Sequence, residues 1–295
     1  MSIIYVNKPK GITSFDVCYR LRKVFNTKKI GHSGTLDPNA TGAMIVATDN
    51  DTKVIQFLKN DTKEYIATCT LGYETDTLDS EGKIVKQLDT FAKPTNDELN
   101  TVFSHFIGKQ KQTPPMFSAL RHNGKRLYDL ARDNIEVEIK ERDIEIYNIE
   151  LLENNDNKFI FKCLVSSGTY IRVLLADILK ELRLIGVLSD LERTMIGNVS
   201  LKQCYSLESI EKGDYKTYSS FDVLKDKYYV YEVNNVKDIM SGKPIIDNNL
   251  NEEYILVSNN SQSLAIYKKD KDKYTCIRGL FWLKLIILVV QIFLN

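Results

Sequence analysis

The sequence has few of the residues from which metal sites, disulfide frameworks and cofactor loops are built. Among 295 residues there are three histidines and five cysteines, and no two cysteines are spaced as Cys-x-x-Cys. Zinc sites and disulfide frameworks need clustered ligands or paired cysteines, so the sequence predicts neither. It also lacks a Gly-x-Gly-x-x-Gly fingerprint and a Walker loop. We therefore expect a protein that uses no metal and no cofactor.

A charge excess and an apolar leader are missing as well. The 40 Lys and Arg residues balance 39 Asp and Glu residues, giving a net charge of +1, so total charge does not indicate a nucleic-acid partner. The first residues lead directly into lysines, without the long apolar core of a signal peptide. Together with the absence of disulfide spacing, this predicts a cytoplasmic protein.

The charges are unevenly distributed. Residues 8–29 contain seven Lys or Arg against one acid, and residues 109–132 contain six against one. A single basic run is most often a solvated face. Two such runs on either side of one carboxylate-bearing loop indicate a polyanionic substrate.

That loop, residues 31–42, has the sequence GHSGTLDPNATG, which is dense in glycine and proline. Gly31, Gly34 and Gly42 permit dihedral angles closed to other residues, and Pro38 pushes Asp37 toward an extended conformation. One interpretation is a tight turn with a capping aspartate. The other, which we favour, is a loop shaped to present the carboxylate of Asp37.

The hydrophobic periodicity predicts a mixed α and β protein. Thr13-x-x-Asp16 and Thr95-x-x-Glu98 indicate capped helices, and alternation over residues 64–71 indicates a strand with Tyr65 facing inward. Further strands are predicted near residues 136–141, 144–152 and 159–165.

Helical spacing over residues 169–182 places Arg172 in the first turn of a helix. A cation there opposes the helix dipole by a few tenths to about 1 kcal/mol, so an anionic partner is expected, and Asp37 is our candidate. The alternative is an arginine solvated on the polar face of the helix.

The C-terminal part differs in pattern. Short Tyr/Val/Ile-rich runs separated by polar clusters predict a small β-rich domain over residues 218–279. Residues 280–295 form an apolar tail shorter than the roughly 20 residues that span a bilayer, and no membrane partner is expected. A membrane-surface segment, a buried strand or helix, and an altered reading frame at the gene's end remain alternatives for the tail.

Three motifs resemble the bacterial TruB-type tRNA pseudouridine-55 synthase family: residues 31–42, the NKPKG of residues 7–11, and the SGTYIR of residues 167–172. The resemblance runs in the family's order from about Ile4 to about Gly197. It implies an α+β fold, with a pseudouridine synthase catalytic domain around a mainly antiparallel sheet at residues 1–217. It also implies an inserted RNA-gripping segment at about residues 109–135 and a PUA-related domain at residues 218–279.

The implied activity is isomerisation of uridine 55 in the T loop of tRNA to pseudouridine, with base flipping. Asp37 would attack the sugar, attack the base, or remove a sugar proton, and the sequence does not choose among these. By resemblance Arg172 holds Asp37 charged, and Tyr65 stacks on the uracil and handles a proton, unless it only packs in the core. A catalytically idle RNA-binding protein or tRNA-folding chaperone is the alternative function; the presence of all three residues argues against it.

The same resemblance implies RNA contacts. His32 would fill space vacated in the T loop, and Tyr170 and Leu191 would line the uracil pocket. Lys8 would contact phosphate or only brace the catalytic loop. Further phosphate or gripping contacts are expected from cationic residues of both basic runs: Lys28, Lys29, Arg121, Lys125 and Arg126. Guide-RNA-dependent relatives generally lack the segment from Gly124 to about Ile135, so we expect a stand-alone enzyme that binds the tRNA T stem-loop without a guide RNA. We also expect a monomer.

Overall fold

The computed structural model of the protein describes residues 2–58, 61–133 and 135–280. Its strands are β1 (Ile3–Lys8), β2 (Ile30–His32), β3 (Thr41–Thr48), β4 (Lys63–Leu71), β5 (Tyr73–Thr75), β6 (Ile84–Gln87), β7 (Gly108–Gln112), β8 (Arg121–His122), β9 (Lys125–Arg126), β10 (Arg142–Asn155), β11 (Lys158–Val165), β12 (Gly186–Ile196), β13 (Val199–Ser200), β14 (Tyr205–Ser206), β15 (Tyr229–Glu232), β16 (Tyr254–Asn259), β17 (Gln262–Asp270) and β18 (Lys273–Gly279).

Its α-helices are α1 (Ser14–Val24), α2 (Ile55–Leu58), α3 (Asn96–His105), α4 (Leu127–Arg132), α5 (Ile171–Glu181), α6 (Leu207–Glu211), α7 (Ser220–Leu224) and α8 (Val236–Met240). Short 3-10 helices cover Asp49–Val54 and Leu201–Gln203. The capping boxes predicted at Thr13 and Thr95 are confirmed, because each threonine accepts from the backbone three residues on and receives the reciprocal bond.

A ten-stranded sheet forms the centre of the protein, in the order β14-β1-β3-β12-β4-β11-β10-β7, with β2 and β13 pairing beside β3 and β12. The β1–β14 and β3–β12 pairs are parallel, and the other described pairs of this sheet are antiparallel. The expectation of an α+β fold around a mainly antiparallel sheet is confirmed.

Both faces of this sheet are covered where β1 and β3 lie. Ile4 and Val6 pack with α1, whereas their neighbours Ile3 and Tyr5 belong to a second cluster on the opposite face. Toward the other end of the sheet, α3 and α5 pack on β4, β10 and β11, and Tyr65 belongs to that core. The inward orientation predicted for Tyr65 is confirmed, and the side chain is 6% exposed.

The strand predicted near residues 136–141 is wrong. The chain has no regular structure there, and β10 begins only at Arg142, which pairs with Gln112. Gln112 is the last residue of β7, and the chain beyond it leaves the sheet. Residues 136–141 therefore lack a neighbouring strand to complete their backbone hydrogen bonds.

A second sheet, in the order β15-β16-β17-β18, has its own core with α8. Its Leu256 and Ile266 also share a hydrophobic cluster with Ile3 and Ile45 of the first sheet. The β-rich pattern predicted for this part is observed, while the boundary at residue 218 and the PUA relationship stay predictions.

The tail is described only at its first residue. Leu280 is buried, and its N–H donates to the carbonyl of Leu264. Residues 281–295, on which the alternatives for the tail depend, lie outside the described residues. In the part of the chain that is described, no helix is long and apolar enough to cross a membrane.

Candidate active site

The Asp37 loop is anchored at several backbone positions. The N–H of Ser33 donates to the carbonyl of Ile45, and the hydroxyl of Ser14 bonds both the N–H and the carbonyl of Leu36 at 2.8 and 3.1 Å. Ser14 is the first residue of α1, so the capped helix end supports the residue directly before Asp37. Because Leu36 is itself buried in the core, the loop presents Asp37 from a fixed frame.

The side-chain ammonium of Lys8 supports this loop. It donates to the carbonyls of Pro9, Ile12 and Pro38 at 2.9, 2.7 and 2.9 Å, so all three of its donors are used. The residue is 0% exposed. Burial lowers the pKa of Lys8 to about 8, and Asp37 acts against that shift. This position fits the bracing role and not a direct phosphate contact, because no surface of Lys8 is available to RNA.

Of the three glycines in the loop, only Gly42 uses a conformation reserved for glycine. Its φ is +109°, and a Cβ there would lie 2.3 Å from the carbonyl oxygen of Arg193. Gly31 and Gly34 do not have a positive φ, contrary to the sequence interpretation. Glycine at position 42 therefore lets β3 approach β12 closely beside the Asp37 loop.

Asp37 and Arg172 form an ion pair, as the sequence predicted. Arg172 Nη2 lies 3.1 Å from Asp37 Oδ2, and the arginine side chain is 6% exposed whereas that of Asp37 is 48% exposed. Arg172 is the second residue of α5, which begins after the turn at Gly168. The arrangement gives an accessible carboxylate with a buried, fixed counter-ion.

Three further partners hold the Arg172 guanidinium. Nη1 donates to the carbonyl of Thr77 at 3.0 Å and lies 3.3 Å from Asp79 Oδ2, and Nη2 donates to the carbonyl of Phe117 at 2.9 Å. Asp79 was not among the residues predicted from the sequence. The sequence does mark Asp79 as a loop residue, because it lies in a Thr/Asp/Gly-rich stretch directly after two strands. Asp37 likewise lies in a loop rich in such residues.

A cleft of about 480 Å³ opens at Asp37. Tyr65, Tyr170 and Leu191 line it, as the resemblance implied, and so does His32. Burial raises the pKa of the Tyr65 phenol, with Arg193 acting in the opposite direction. Burial likewise raises the pKa of the Tyr170 phenol. Both tyrosines are therefore neutral near pH 7.

Cations surround the single carboxylate. Besides Arg172, the cleft is lined by Lys63, Arg142 and Arg193, and Asp37 is its one acid among the described residues. Burial lowers the pKa of Lys63 to about 8, and the neighbouring Arg193 acts in the same direction. These three cations were not predicted from the sequence as site residues. Two were recoverable, since a period of two places Lys63 beside Tyr65 on β4 and Arg193 beside Leu191 on β12.

Five predicted RNA contacts lie outside this cleft. Lys28 and Lys29 are exposed after α1, and Lys29 donates to Asn50. The other three are exposed on the β8–β9 hairpin, which follows the cleft residues Ser118, Ala119 and Leu120: Arg121, Lys125 and Arg126. The structure therefore brings the hairpin to the cleft but does not bring Lys28 and Lys29 into it.

The chemistry available at this site is that of one carboxylate. Asp37 can attack a carbon or accept a proton, while a glycoside hydrolase ordinarily needs two carboxylates that flank the bond. Asp79 does not line the cleft. Among the described residues, no three His, Cys, Asp or Glu side chains gather as a candidate metal site.

Comparisons with known proteins identify the family of this chain. The model of the "TruB family pseudouridylate synthase (N terminal domain)" matches residues 22–171. A tRNA pseudouridine synthase B of Mycoplasma mobile is 42% identical over 242 residues, covering 81% of this chain and 81% of that protein. One of Clostridium tetani is 37% identical over 288 residues, covering 94% and 98%.

A similar fold occurs in a solved H/ACA ribonucleoprotein bound to a substrate RNA containing 2′-deoxyuridine. The match has a TM-score of 0.69 and 19% identity, and covers 95% of this chain and 85% of that one. At this identity the match supports the fold alone. The family match and the two relatives decide membership: the chain belongs to the TruB family of pseudouridylate synthases.

Proposed function

We propose that this isomerase converts uridine 55 in the T loop of tRNA to pseudouridine. The observation that carries the proposal is the pair of Asp37 and Arg172 at a cleft with one carboxylate, four Lys or Arg side chains and two tyrosines. The family supplies the reaction class, and relatives named tRNA pseudouridine synthase B supply the substrate class.

The reaction rearranges bonds without net oxidation. The bond between ribose C1′ and uracil N1 breaks, the base turns, and C1′ joins C5. The proton on C5 leaves to solvent, and N1 acquires a proton. Asp37 begins this sequence by attack on the sugar, attack on the base, or removal of a sugar proton, and all three routes need an ionised carboxylate.

Arg172 aims Asp37 and balances its charge, because its guanidinium is buried and fixed by two backbone carbonyls. Tyr65 stacks on the uracil, and its hydroxyl handles a proton late in the reaction. Burial raises its pKa, so Tyr65 is neutral and its hydroxyl can donate a proton.

A uridine stacked within the T loop cannot reach this cleft, so the enzyme extrudes it at a cost of a few kcal/mol. His32, which lines the cleft, fills space vacated in the RNA, and Tyr170 and Leu191 enclose the base. Arg142 is exposed at the cleft and can meet the phosphates that accompany the extruded nucleotide, whereas Lys63 and Arg193 are buried and only add to the positive potential of the cleft.

The segment of about residues 109–135 grips the T stem-loop. Its β8–β9 hairpin carries exposed cations, and Tyr128 lies under two arginines, Arg126 and Arg132, each 5.5 Å from the ring centroid. Such a mixture of aromatic and cationic groups suits stacking beside phosphates.

No guide RNA, metal or cofactor takes part, and the protein acts as a cytoplasmic monomer. Its first domain spans residues 1–217 and a PUA-related one residues 218–279.

Asp37→Asn tests the proposal, because it removes the charge and keeps the shape. The substrate is unmodified tRNA labelled with tritium at C5 of uridine. Wild-type protein should release this tritium with a chelator present and without a guide RNA. Mapping should then find pseudouridine at position 55. Asp37→Asn should bind tRNA and release none, while Asp190→Asn, which alters an exposed aspartate paired with Lys10, should stay active.

Comparable release by Asp37→Asn would contradict the role of the carboxylate. Tight tRNA binding by a wild-type protein that releases no tritium would instead support the idle RNA-binding alternative.

A further inference from the structure

The N-terminus of α5 is held by a residue from another part of the chain. Its N-cap, Tyr170, makes no side-chain capping bond, whereas α1 and α3 have complete capping boxes. Instead, the carboxamide of Gln112 bonds both backbone groups of Tyr170. The N–H of Tyr170 donates to Gln112 Oε1 at 2.8 Å, and Gln112 Nε2 donates to the carbonyl of Tyr170 at 3.1 Å.

This contact lies two residues from the arginine that pairs with Asp37. The carbonyl of Tyr170 also accepts the first helical bond, from Leu174, so both of its lone pairs are used and the first turn of α5 is fixed in place. Gln112 is 5% exposed, so the two bonds are shielded from water. A shift at Tyr170 would move Arg172, and with it the carboxylate 3.1 Å away.

Gln112 also lies near the start of the proposed RNA-gripping segment, at the point where the chain leaves the sheet. Five residues later, the carbonyl of Phe117 accepts from Arg172 Nη2. The start of the segment therefore supports Arg172 in two ways: Gln112 acts through the backbone of Tyr170, and Phe117 accepts a hydrogen bond directly.

We infer that Gln112 is a positioning residue for the isomerisation: it fixes the first turn of α5 and thereby aims Arg172 at Asp37. The inference rests on the proposed function, since it concerns the same site. Gln112 touches neither the reacting carboxylate nor an exposed surface, so it acts on the rate of the chemical step and not on tRNA affinity.

The test is Gln112→Met, which keeps the length and apolar stem of the side chain and removes both hydrogen bonds. Gln56→Met is the matched control. Gln56 lies on α2, outside the cleft and the proposed gripping segment, and donates to the carbonyl of Lys53 at 2.9 Å. Three quantities are measured for each variant: the single-turnover rate of C5 tritium release, the Kd for tRNA, and amide hydrogen exchange across residues 167–174.

Gln112→Met should slow the single turnover about 10- to 100-fold, because a displacement of about 1 Å in a catalytic group costs about that much. Its Kd should change less than about twofold, and exchange at residues 167–174 should accelerate. Gln56→Met should match wild type in all three. Gln112→Glu, which keeps the shape but sets a carboxylate oxygen against the carbonyl of Tyr170, should also be slow.

Wild-type rates in both Gln112 variants would overturn the inference while leaving the proposed function intact. A rate loss shared equally by Gln56→Met, or one without faster exchange at residues 167–174, would assign Gln112 a general structural role and would also overturn it. An inactive wild-type protein would refute the proposed function itself, a different outcome.

Discussion

Arg172 Nη1 lies 3.3 Å from Asp79 Oδ2, so Asp79 shares with Asp37 the guanidinium of a buried arginine. An unpaired charge in the interior is costly. If Asp37 forms a bond to the substrate or takes a proton, its own negative charge is lost for that step. Asp79 keeps Arg172 compensated meanwhile, so Asp37 can react without leaving a lone cation in the protein.

Asp79→Asn should therefore slow turnover. The amide keeps an oxygen for the two groups that donate to Oδ1, the hydroxyl of Thr77 and the N–H of Glu81, and removes the charge that faces Arg172. A hydrogen bond to a charged group contributes about 1.5–3 kcal/mol, so we expect a fall in kcat of about tenfold or more with tRNA affinity unchanged. Single-turnover kinetics and a binding titration measure both.

Asp76→Asn is the control for this prediction. Asp76 lies in the same stretch and accepts from the N–H of Lys83, away from the arginine. It should remain near wild-type activity. An Asp79→Asn variant as fast as wild type would mean that the carbonyls of Thr77 and Phe117 hold Arg172 without help.

The Tyr65 hydroxyl should matter for chemistry more than for binding. Tyr65→Phe keeps the ring that stacks on the base and removes the proton donor, so kcat should fall at least about tenfold while Kd for tRNA changes less than about twofold. Tyr147→Phe, a change at an exposed tyrosine, should have no effect. Equal losses of rate and affinity in Tyr65→Phe would indicate a packing role alone.

Local patterns predicted much of the fold and only part of the site. The capped helices and the strand of Tyr65 follow from short-range signals, and the approach of Arg172 to Asp37 followed from the electrostatic cost of a cation at a helix start. The residues that support Arg172 are distant in sequence: Asp79 lies 93 positions before Arg172, and Gln112 lies 58 positions before Tyr170, which it bonds. Such tertiary contacts leave no periodic signal in one sequence.

The sequence left two roles open for Lys8, contact with phosphate or support of the catalytic loop. Its burial favours support of the loop. Lys8→Met leaves three carbonyl oxygens without their donor, and we expect a loss of about 1–3 kcal/mol in the free energy of unfolding and a large loss of turnover. The slope of log Kd for tRNA against log salt should not change, because a buried side chain displaces no counter-ions from RNA. A slope reduced by about one would instead indicate a phosphate contact.

The lowered pKa of Lys8 predicts a pH dependence of activity. Above pH about 8 the amine has two N–H donors for three carbonyls, and a positive charge near Asp37 is lost, so kcat should fall. The unfolded lysine stays protonated up to its usual pKa of about 10.4, so the unfolded state binds more protons in that window. This group alone thus raises the free energy of unfolding with pH, and the loss of activity is not unfolding.

Thermal melts across the same pH range separate the two effects. Wild type should lose turnover above pH about 8 without a Lys8-dependent fall in Tm, and Lys8→Met should lack that descending limb in its residual activity. A limb of the same position in Lys8→Met would assign the titration to another group.

The exposed cations of the β8–β9 hairpin should contribute most of the salt dependence that the proposed gripping segment gives to tRNA binding. Changing Arg121, Lys125 and Arg126 to Gln should weaken binding and reduce the slope of log K against log salt by about 2–3, since each phosphate contact contributes about 0.7–0.9. The control changes three exposed cations that do not line the cleft, Lys158, Lys180 and Arg183, to Gln. Because it removes the same net charge, it distinguishes local phosphate contacts from the total field of the protein, and its slope should stay near that of wild type. Equal slopes for the two triple variants would show that the hairpin does not contact the phosphate backbone.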